Sequence, residues 1–448
     1  MTKRHASSAS VFQRHALALA AVASFMALPA QAQNLQTLYE AAKAYDATYL
    51  SARSQYEADQ AKAEQAYAGV RPNVALSAGA NWSSIDSDVA GFDRTRNAQS
   101  AALSASQPLY RPANRLAVEQ AQKSLQAAEA QLQNAEQSLI VRLADAYFNV
   151  LAAEDNLTFV KAQKAAVEQQ LAAAKRNFEV GTSTITDTRE AQAQFDLVIA
   201  REIAAENDLR VKKLALDQLV GRVGTTPWRL AQGKNLPELQ PTDLNTWVNR
   251  AEAEHPLVRQ ASAGLEIAQL ETRKAEAAKG PTVDATAQYQ MARGAGSSPP
   301  FPYARNNTAT VGVQFNLPLY TGGAVQNRIA ETLALQDKAR TDLEAAKRGT
   351  AQATRTAYFG VVSGMGQVKA LEAAEASSQS ALEANQVGYQ VGVRINIDVL
   401  NAQSQLFQTK ANLAKARYDV LVGNLRLKQA SGALGAEDLK PIDALLAP

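Results

Sequence analysis

Phe178-Glu179-Val180-Gly181 is followed by Asp187, and Tyr389-Gln390-Val391-Gly392 is followed by Asp398 at the same distance. The two stretches lie 211 positions apart. Two further pairs keep this spacing to within one residue: Gln107-Pro108-Leu109-Tyr110 with Leu317-Pro318-Leu319-Tyr320, and Ala146-Tyr147-Phe148-Asn149-Val150 with Ala357-Tyr358-Phe359-Gly360-Val361. Coincidence among alanine-rich helices does not explain the matches, because prolines and glycines recur as well. A repeat of this length indicates one structural unit used twice.

Residues 1–32 are predicted to be a secretory signal. Basic residues precede an apolar run from Ala16 to Leu28, and Ala30-Gln31-Ala32 supplies a cleavage site of small residues. The remaining chain is near neutral, which gives no support for nucleic-acid binding. It has no cysteine, and His255 is its one histidine. We therefore expect no disulfide and no lipid anchor on a cysteine, and there is almost no material for a histidine triad or a histidine-rich metal site. The sequence also has no metal-ligand spacing, nucleophile elbow or phosphate loop, so we expect no metal, no cofactor and no catalytic residues.

Two long helical hairpins are predicted. Between Pro112 and Gly181 there is neither glycine nor proline, and strong helix formers dominate. Apolar residues recur there every seven positions, the spacing of a coiled coil, at Val118, Leu125, Leu132 and Leu139. A helix of this extent would be about 100 Å long. Gly181 marks the tip of the first hairpin, and Gly392 marks the tip of the second.

Four segments alternate between apolar and polar residues, at about 74–83, 99–107, 283–291 and 309–317. Their length suits membrane-crossing β-strands, with apolar side chains toward lipid and polar ones toward a lumen. Soluble hairpins that cover a core would alternate in the same way. The export signal, the duplicated hairpin and the absence of an apolar helix favour the membrane interpretation. Polar loops are expected at 84–97 and 292–308.

Four strands cannot close a barrel, and lipid does not tolerate an open sheet edge. The chain is therefore expected to oligomerise. A dimer would supply eight strands around a filled interior, whereas a trimer would supply twelve strands and a lumen. Transport through the barrel would favour the trimer.

The sequence resembles the TolC family of outer-membrane efflux and secretion channels, in its branch without a lipid anchor. An ordered series of short matches along the mature chain carries the resemblance: Leu35-Gln36-Thr37-Leu38-Tyr39, Ala146 to Leu151, Phe178 to Gly181, Ile185-Thr186-Asp187, Gly322-Gly323, Gly388 to Arg394, Asp398-Val399-Leu400 and Ala416-Arg417-Tyr418.

The resemblance implies an α+β membrane protein, a homotrimer whose twelve-stranded outer-membrane β-barrel is continued by a long α-helical coiled-coil tunnel in the periplasm. Residues 33–221 and 251–432 would be the two repeats. The insert 222–250 and the tail 433–448 would form a small mixed equatorial domain. Substrates would arrive from an inner-membrane RND, ABC or MFS transporter through a periplasmic adaptor protein.

The resemblance also carries over individual residues. The periplasmic end would be closed by Asp187 of the first hairpin linked to Tyr389 and Arg394 of the second. Asp398 would form a ring of charge at the entrance, with Asn401 where the family has a second aspartate, which predicts weaker cation selectivity. Adaptor contact is expected at the two tips, at Val180, Gly181, Thr182, Val391, Gly392 and Val393.

The sequence is compatible with two alternatives to a channel. An exported structural or adhesive coiled coil would explain the heptads, but not the paired strands or the repeat. A secreted hydrolase could use an acidic pair such as Glu154-Asp155, but on alanine-rich helices such pairs usually lie on a solvated face. The residues leave open the substrates, the cognate pump and the choice between drug efflux and protein secretion.

Overall fold

The computed structural model describes residues 33–86, 94–231, 234, 236–295 and 303–447. The predicted signal segment lies outside these residues. Most of the described chain is helical, with a four-stranded sheet and a small two-stranded sheet. In chain order the elements are α1 (Leu35–Tyr45), α2 (Ala47–Ala66), β1 (Asn73–Ile85), β2 (Arg94–Tyr110), α3 (Pro112–Glu179), α4 (Ile185–Val220), β3 (Arg229–Leu230), α5 (Leu244–Glu254), α6 (Pro256–Ala277), β4 (Thr282–Ala295), β5 (Tyr303–Asn316), α7 (Ala324–Gln390), α8 (Asn396–Ala430), α9 (Lys440–Asp443) and β6 (Leu446–Ala447).

Two helices run the whole length of the helical region. α3 has 68 residues and α7 has 67, so each is about 100 Å long. The returning helices α4 and α8 have 36 and 35 residues and cover about half of that length. The other half of α3 packs against α2 and α6, and that of α7 packs against α5 and α6. Each repeat therefore contributes one continuous helix that packs against shorter helices along its length.

The four predicted strands are present, and they form one antiparallel sheet in the order β1-β2-β4-β5. All four begin or end beyond the predicted positions toward the hairpin loops, so much of 84–97 and 292–308 is strand rather than loop. Polar residues at these ends continue the backbone ladder as well as apolar ones do. β5 stops at Asn316, one residue before the predicted end, whereas β2 continues past Pro108 to Tyr110 through a register shift in its pairing with β4.

The two faces of the sheet differ in polarity. Aligned residues of one face are apolar over several rows, for example Leu76, Leu103 and Tyr289, which are successive partners across β1, β2 and β4. Val311, Val313 and Phe315 of β5 continue this face and are exposed. The other face carries serine, threonine, glutamine and asparagine. A face of exposed apolar side chains suits contact with lipid.

Among the described residues, the outer strands β1 and β5 each leave one edge of the sheet without a partner strand. Unpaired backbone groups are costly in hydrocarbon, so a sheet of this kind needs further strands on both sides. Among the described helices, none combines the length and the apolar character that a membrane crossing requires.

The main core lies midway along the helices, where the segment that begins at Gln33, the insert and the tail meet. β3 of the insert pairs with β6 of the tail, and Gln33 forms a parallel bridge with Pro227. Tyr147 donates a hydrogen bond to the Trp228 carbonyl at 2.9 Å. The segment before α1 therefore pairs with the insert, and the insert pairs with the tail. The predicted boundary at 250 falls inside α5, which continues to Glu254 because Pro256 ends its hydrogen bonding.

Candidate gate at the tips of the helical hairpins

The first hairpin (α3 and α4) and the second hairpin (α7 and α8) turn in the same way. Gly181 and Gly392 have φ angles of 80° and 79°, in the left-handed region that favours glycine. The Thr182 amide bonds the Asn177 carbonyl at 2.8 Å, and the Val393 amide bonds the Gly388 carbonyl at 2.9 Å. These are Schellman turns, and they satisfy carbonyls that the helix ends leave free.

The side chain of Asp187 is used within its own helix. Its Oδ2 accepts hydrogen bonds from the Thr184 amide at 2.9 Å and from the Thr184 hydroxyl at 2.8 Å. The Asp187 amide in turn donates to Thr184 Oγ1 at 3.2 Å. This reciprocal pair is a capping box, which fixes the start of α4.

In the second hairpin, Arg394 folds over Gly388. A Cβ atom at Gly388 would lie 2.6 Å from Arg394 Cγ, so only glycine leaves room for the arginine stem. The guanidinium reaches Asp398, with 3.7 Å between Arg394 Nη1 and Asp398 Oδ2. That distance is too long for a hydrogen bond, and the Arg394 side chain is 59% exposed. Arg394 therefore presents free N–H donors at the tip.

Two hydrogen-bonded links join the hairpins near their tips. Asn177 of the first hairpin donates to the Tyr389 hydroxyl at 3.3 Å. Asn396, which is fully buried, donates to the backbone carbonyl of Asp187 at 3.3 Å and accepts a hydrogen bond from Gln170. Neither Asn177, Asn396 nor Gln170 was identified from the sequence.

Apolar packing surrounds these polar links. Leu400 of α8 is buried in a cluster formed by the first hairpin, whose other buried members are Val167, Leu171, Ala174, Ala191 and Val198. Ile397 packs against the same cluster. The beginning of α8 therefore contacts the first hairpin through apolar packing of Leu400 and Ile397 and through the hydrogen bonds of Asn396.

The predicted tie of Asp187 to Tyr389 and Arg394 is not formed by side chains within the described chain. Asp187 is held by Thr184, Tyr389 is bonded by Asn177, and Arg394 lies beside Asp398. The capping box explains the difference, because it turns the carboxylate of Asp187 back toward its own helix start. What the chain does bring together is Asp187 and Asn396, through the Asp187 backbone carbonyl.

The remaining predicted residues lie at the tips or just above them. Asp398 is half-buried at the start of α8, and its Oδ2 lies 3.5 Å from the Ile395 amide. Asn401 is exposed one turn further along. Val180, Val391 and Val393 are all exposed, as are Gly181, Thr182 and Gly392. The described residues contain no cluster of side chains suited to hold a metal ion.

Known proteins share this sequence pattern and this architecture. The family described as outer membrane efflux protein matches residues 38–222 and 247–433, one segment in each copy of the repeat. The chain belongs to this family. The outer membrane protein TolC of Vibrio cholerae serotype O1 is 32% identical over 92% of the chain and 94% of its own length. The alkaline protease secretion protein AprF of Pseudomonas aeruginosa is 28% identical over 91% of the chain and 86% of its own length.

Among solved structures, the outer membrane protein VceC of Vibrio cholerae has a TM-score of 0.75 at 20% sequence identity, over 89% of the chain and 96% of its own. The predicted fold class is thereby confirmed at the level of one chain. The protein is an outer-membrane efflux or secretion channel whose helices form a tunnel in the periplasm. Its family consists of channels rather than enzymes, and nothing favours the alternative of an adhesive coiled coil.

Proposed function

We propose that three copies of the chain assemble into a twelve-stranded barrel and a closed helical tunnel. The observation that carries the proposal is the four-stranded sheet with an apolar face and two unpaired edges. Pairing β1 of one copy with β5 of the next would satisfy both edges, and twelve strands would enclose a lumen. The tunnel would then be lined by three copies of each helical hairpin.

Disulfide cross-linking tests this assembly. Because the chain has no native cysteine, only the introduced cysteines can form disulfides. Ser77→Cys in β1 is combined in turn with Thr308→Cys, Thr310→Cys and Gly312→Cys in β5. β1 and β5 are three strand spacings apart within one sheet, about 14 Å, which is too far for a disulfide inside one chain. We expect at least one pair to give a covalent trimer on a non-reducing gel. A covalent dimer as the end product would contradict the trimer.

We propose further that the tips close the tunnel and that contacts between neighbouring copies hold them closed. Arg394 is exposed and has donors available, and Asp187 lies at the matching level of the first hairpin. A charge-assisted bond from Arg394 of one copy toward Asp187 of the next would add to the capping interaction of Asp187. Tyr389 would contribute its hydroxyl beside them.

The combined variant Asp187→Ala/Arg394→Ala tests this closure in planar lipid bilayers. We expect a higher single-channel conductance than that of the unaltered protein, because the tips would separate more readily. The matched control is Asp337→Ala/Arg340→Ala, an exposed pair on α7 far from the tips. Equal conductance of the tip variant and the control would argue against the closure.

The channel is proposed to open when a periplasmic adaptor protein engages the exposed valines of the two tips. An inner-membrane transporter of the RND, ABC or MFS class would then supply the substrate. This proposal is supported by the similarity of the chain to one relative named TolC and to another named as an alkaline protease secretion protein. Cross-linking of the intact protein in cells, followed by identification of the captured periplasmic and inner-membrane proteins, tests this step. Recovery of no adaptor from tip-positioned cross-linkers would contradict it.

A further inference from the structure

Two arginines face each other on the apolar side of the sheet. Arg293 of β4 and Arg305 of β5 are direct partners in the strand register, and both are exposed. Side chains alternate along a strand, so Arg293 lies on the same face as Met291 and Tyr289. Directly opposed side chains have Cβ atoms about 4.5–5.5 Å apart, and like charges at that distance repel each other. An anion bound between the two guanidinium groups would relieve this repulsion.

Within the described residues neither guanidinium forms an ion pair. The four strands contain a single acidic residue, Asp284, and it lies at the opposite end of the sheet. There it is held by Arg111 in a bidentate pair, with distances of 2.7 and 2.6 Å. The sheet thus supplies no carboxylate that could neutralise Arg293 and Arg305.

The arginine pair lies near the outer surface of the membrane. The helices leave the sheet at the Val283 end, so the opposite end faces away from the periplasm. Arg293 is ten residues beyond Val283, about 34 Å along the strand, or roughly 24–28 Å across the membrane at the tilt usual for such barrels. That distance matches the height of the lipid-facing apolar band. The exposed Trp82 lies one row further out, as expected of an interfacial aromatic residue.

A shallow depression of about 710 Å³ adjoins the pair. Its floor is formed by small side chains of neighbouring strands, Ala78, Ala80 and Ala101. The amides of Gln99 and Asn307 line it beside the arginines. A hydrocarbon chain fits against the alanines, while the amides and guanidiniums offer donors to an anionic group at its end.

We propose that this depression binds a phosphorylated glycolipid of the outer leaflet, with its phosphate between Arg293 and Arg305 and an acyl chain along the alanines. Guanidinium groups bind phosphate oxygens in a bidentate manner, and one phosphate can accept from both arginines at once. The phosphate removes the repulsion between the two cations. The site is independent of the gate at the other end of the molecule.

The test measures binding of bisphosphorylated lipid A to the purified full-length protein in neutral detergent by native mass spectrometry. The variant Arg293→Gln/Arg305→Gln should bind at least about tenfold more weakly, since two charge-assisted contacts are lost. The matched control, Arg340→Gln/Arg348→Gln on the tunnel helix α7, should bind as the unaltered protein does. Arg293→Lys/Arg305→Lys keeps both charges without the bidentate geometry, and it should bind with intermediate affinity.

Three results would overturn the proposal. Equal binding of lipid A by the Arg293→Gln/Arg305→Gln variant and by the control would show that the two arginines do not bind the lipid. Equal binding of lipid A that lacks both phosphates would show that the phosphate is not recognised. Full displacement of lipid A by millimolar inorganic phosphate would show that the site binds phosphate without recognising a lipid.

Discussion

Replacing Asn396 with alanine should loosen the tip of the tunnel. The side chain is buried and joins the second hairpin to the first through the Asp187 carbonyl and Gln170. Each such hydrogen bond contributes about 0.5–1.5 kcal/mol to stability, so the loss of both should cost the closed arrangement about 1–3 kcal/mol. If opening separates the hairpins, the ratio of open to closed tips should rise by a factor of about 5–150.

Single-channel recording in planar bilayers measures this change. We expect Asn396→Ala to open more often, or to a higher conductance, than the unaltered protein. The control is Asn385→Ala, since the Asn385 amide donates only to the Ala381 carbonyl of its own helix. Asn396→Asp keeps the acceptor for Gln170 but buries a carboxylate against the Asp187 carbonyl, so its effect should be at least as large as that of Asn396→Ala.

One result would refute the reasoning about Asn396. If Asn396→Ala inserts as a stable assembly and its conductance and open time equal those of Asn385→Ala, the link between the hairpins does not resist opening. Thermal melting of each variant separates this outcome from global unfolding. The main core lies far above the tip, so the midpoint of melting should change little.

Three further predictions concern other residues. Asp398→Ala should remove most cation selectivity, read as a shift of the reversal potential toward zero in a salt gradient; an unchanged potential would contradict it. Gly392→Ala should strain the turn by about 1–2 kcal/mol, because φ is 79°, and tip amides should then exchange hydrogen about 5–30-fold faster. Burial lowers the pKa of His255, whose Nδ1 accepts from the Leu257 amide at 3.1 Å. The neutral form stabilises the fold above pH of about 6.5, and this stability is lost as the pH falls further, so His255→Asn should flatten the acid side of the melting profile.

Local chemistry explains what the sequence predicted well. The glycines at both tips follow from the left-handed turn that ends a helix, and this turn depends on neighbouring residues alone. Strand alternation likewise predicts the two faces of the sheet. It does not predict where the strands end, since polar residues beyond the apolar band, such as Arg305, pair through the backbone as readily as valines do.

Contacts between distant segments explain what was missed. Asn396 meets Gln170 across more than two hundred positions, and neither residue belongs to a local motif. The repeat does hold one signal for it. Ile185 occupies the matching position of the first copy, so a polar residue in the second copy stands where an apolar one is expected. Within one chain Thr184 holds the carboxylate of Asp187, so the tie of Asp187 to Tyr389 and Arg394 stays a prediction.

The two tips differ most in how well each satisfies its own helix start. Thr184 caps α4 with its hydroxyl, whereas Ile395 at the matching position before α8 has no side-chain acceptor. The second hairpin therefore depends more on its links to the first, and we infer that opening begins there. Ile395→Thr should supply the missing cap, worth about 1 kcal/mol, at little cost in packing because the isoleucine is exposed. This variant should open less readily in bilayer recordings, while Thr184→Ala should weaken α4 without easing opening to the same degree. If both substitutions changed opening equally, the second hairpin would have no special part in it.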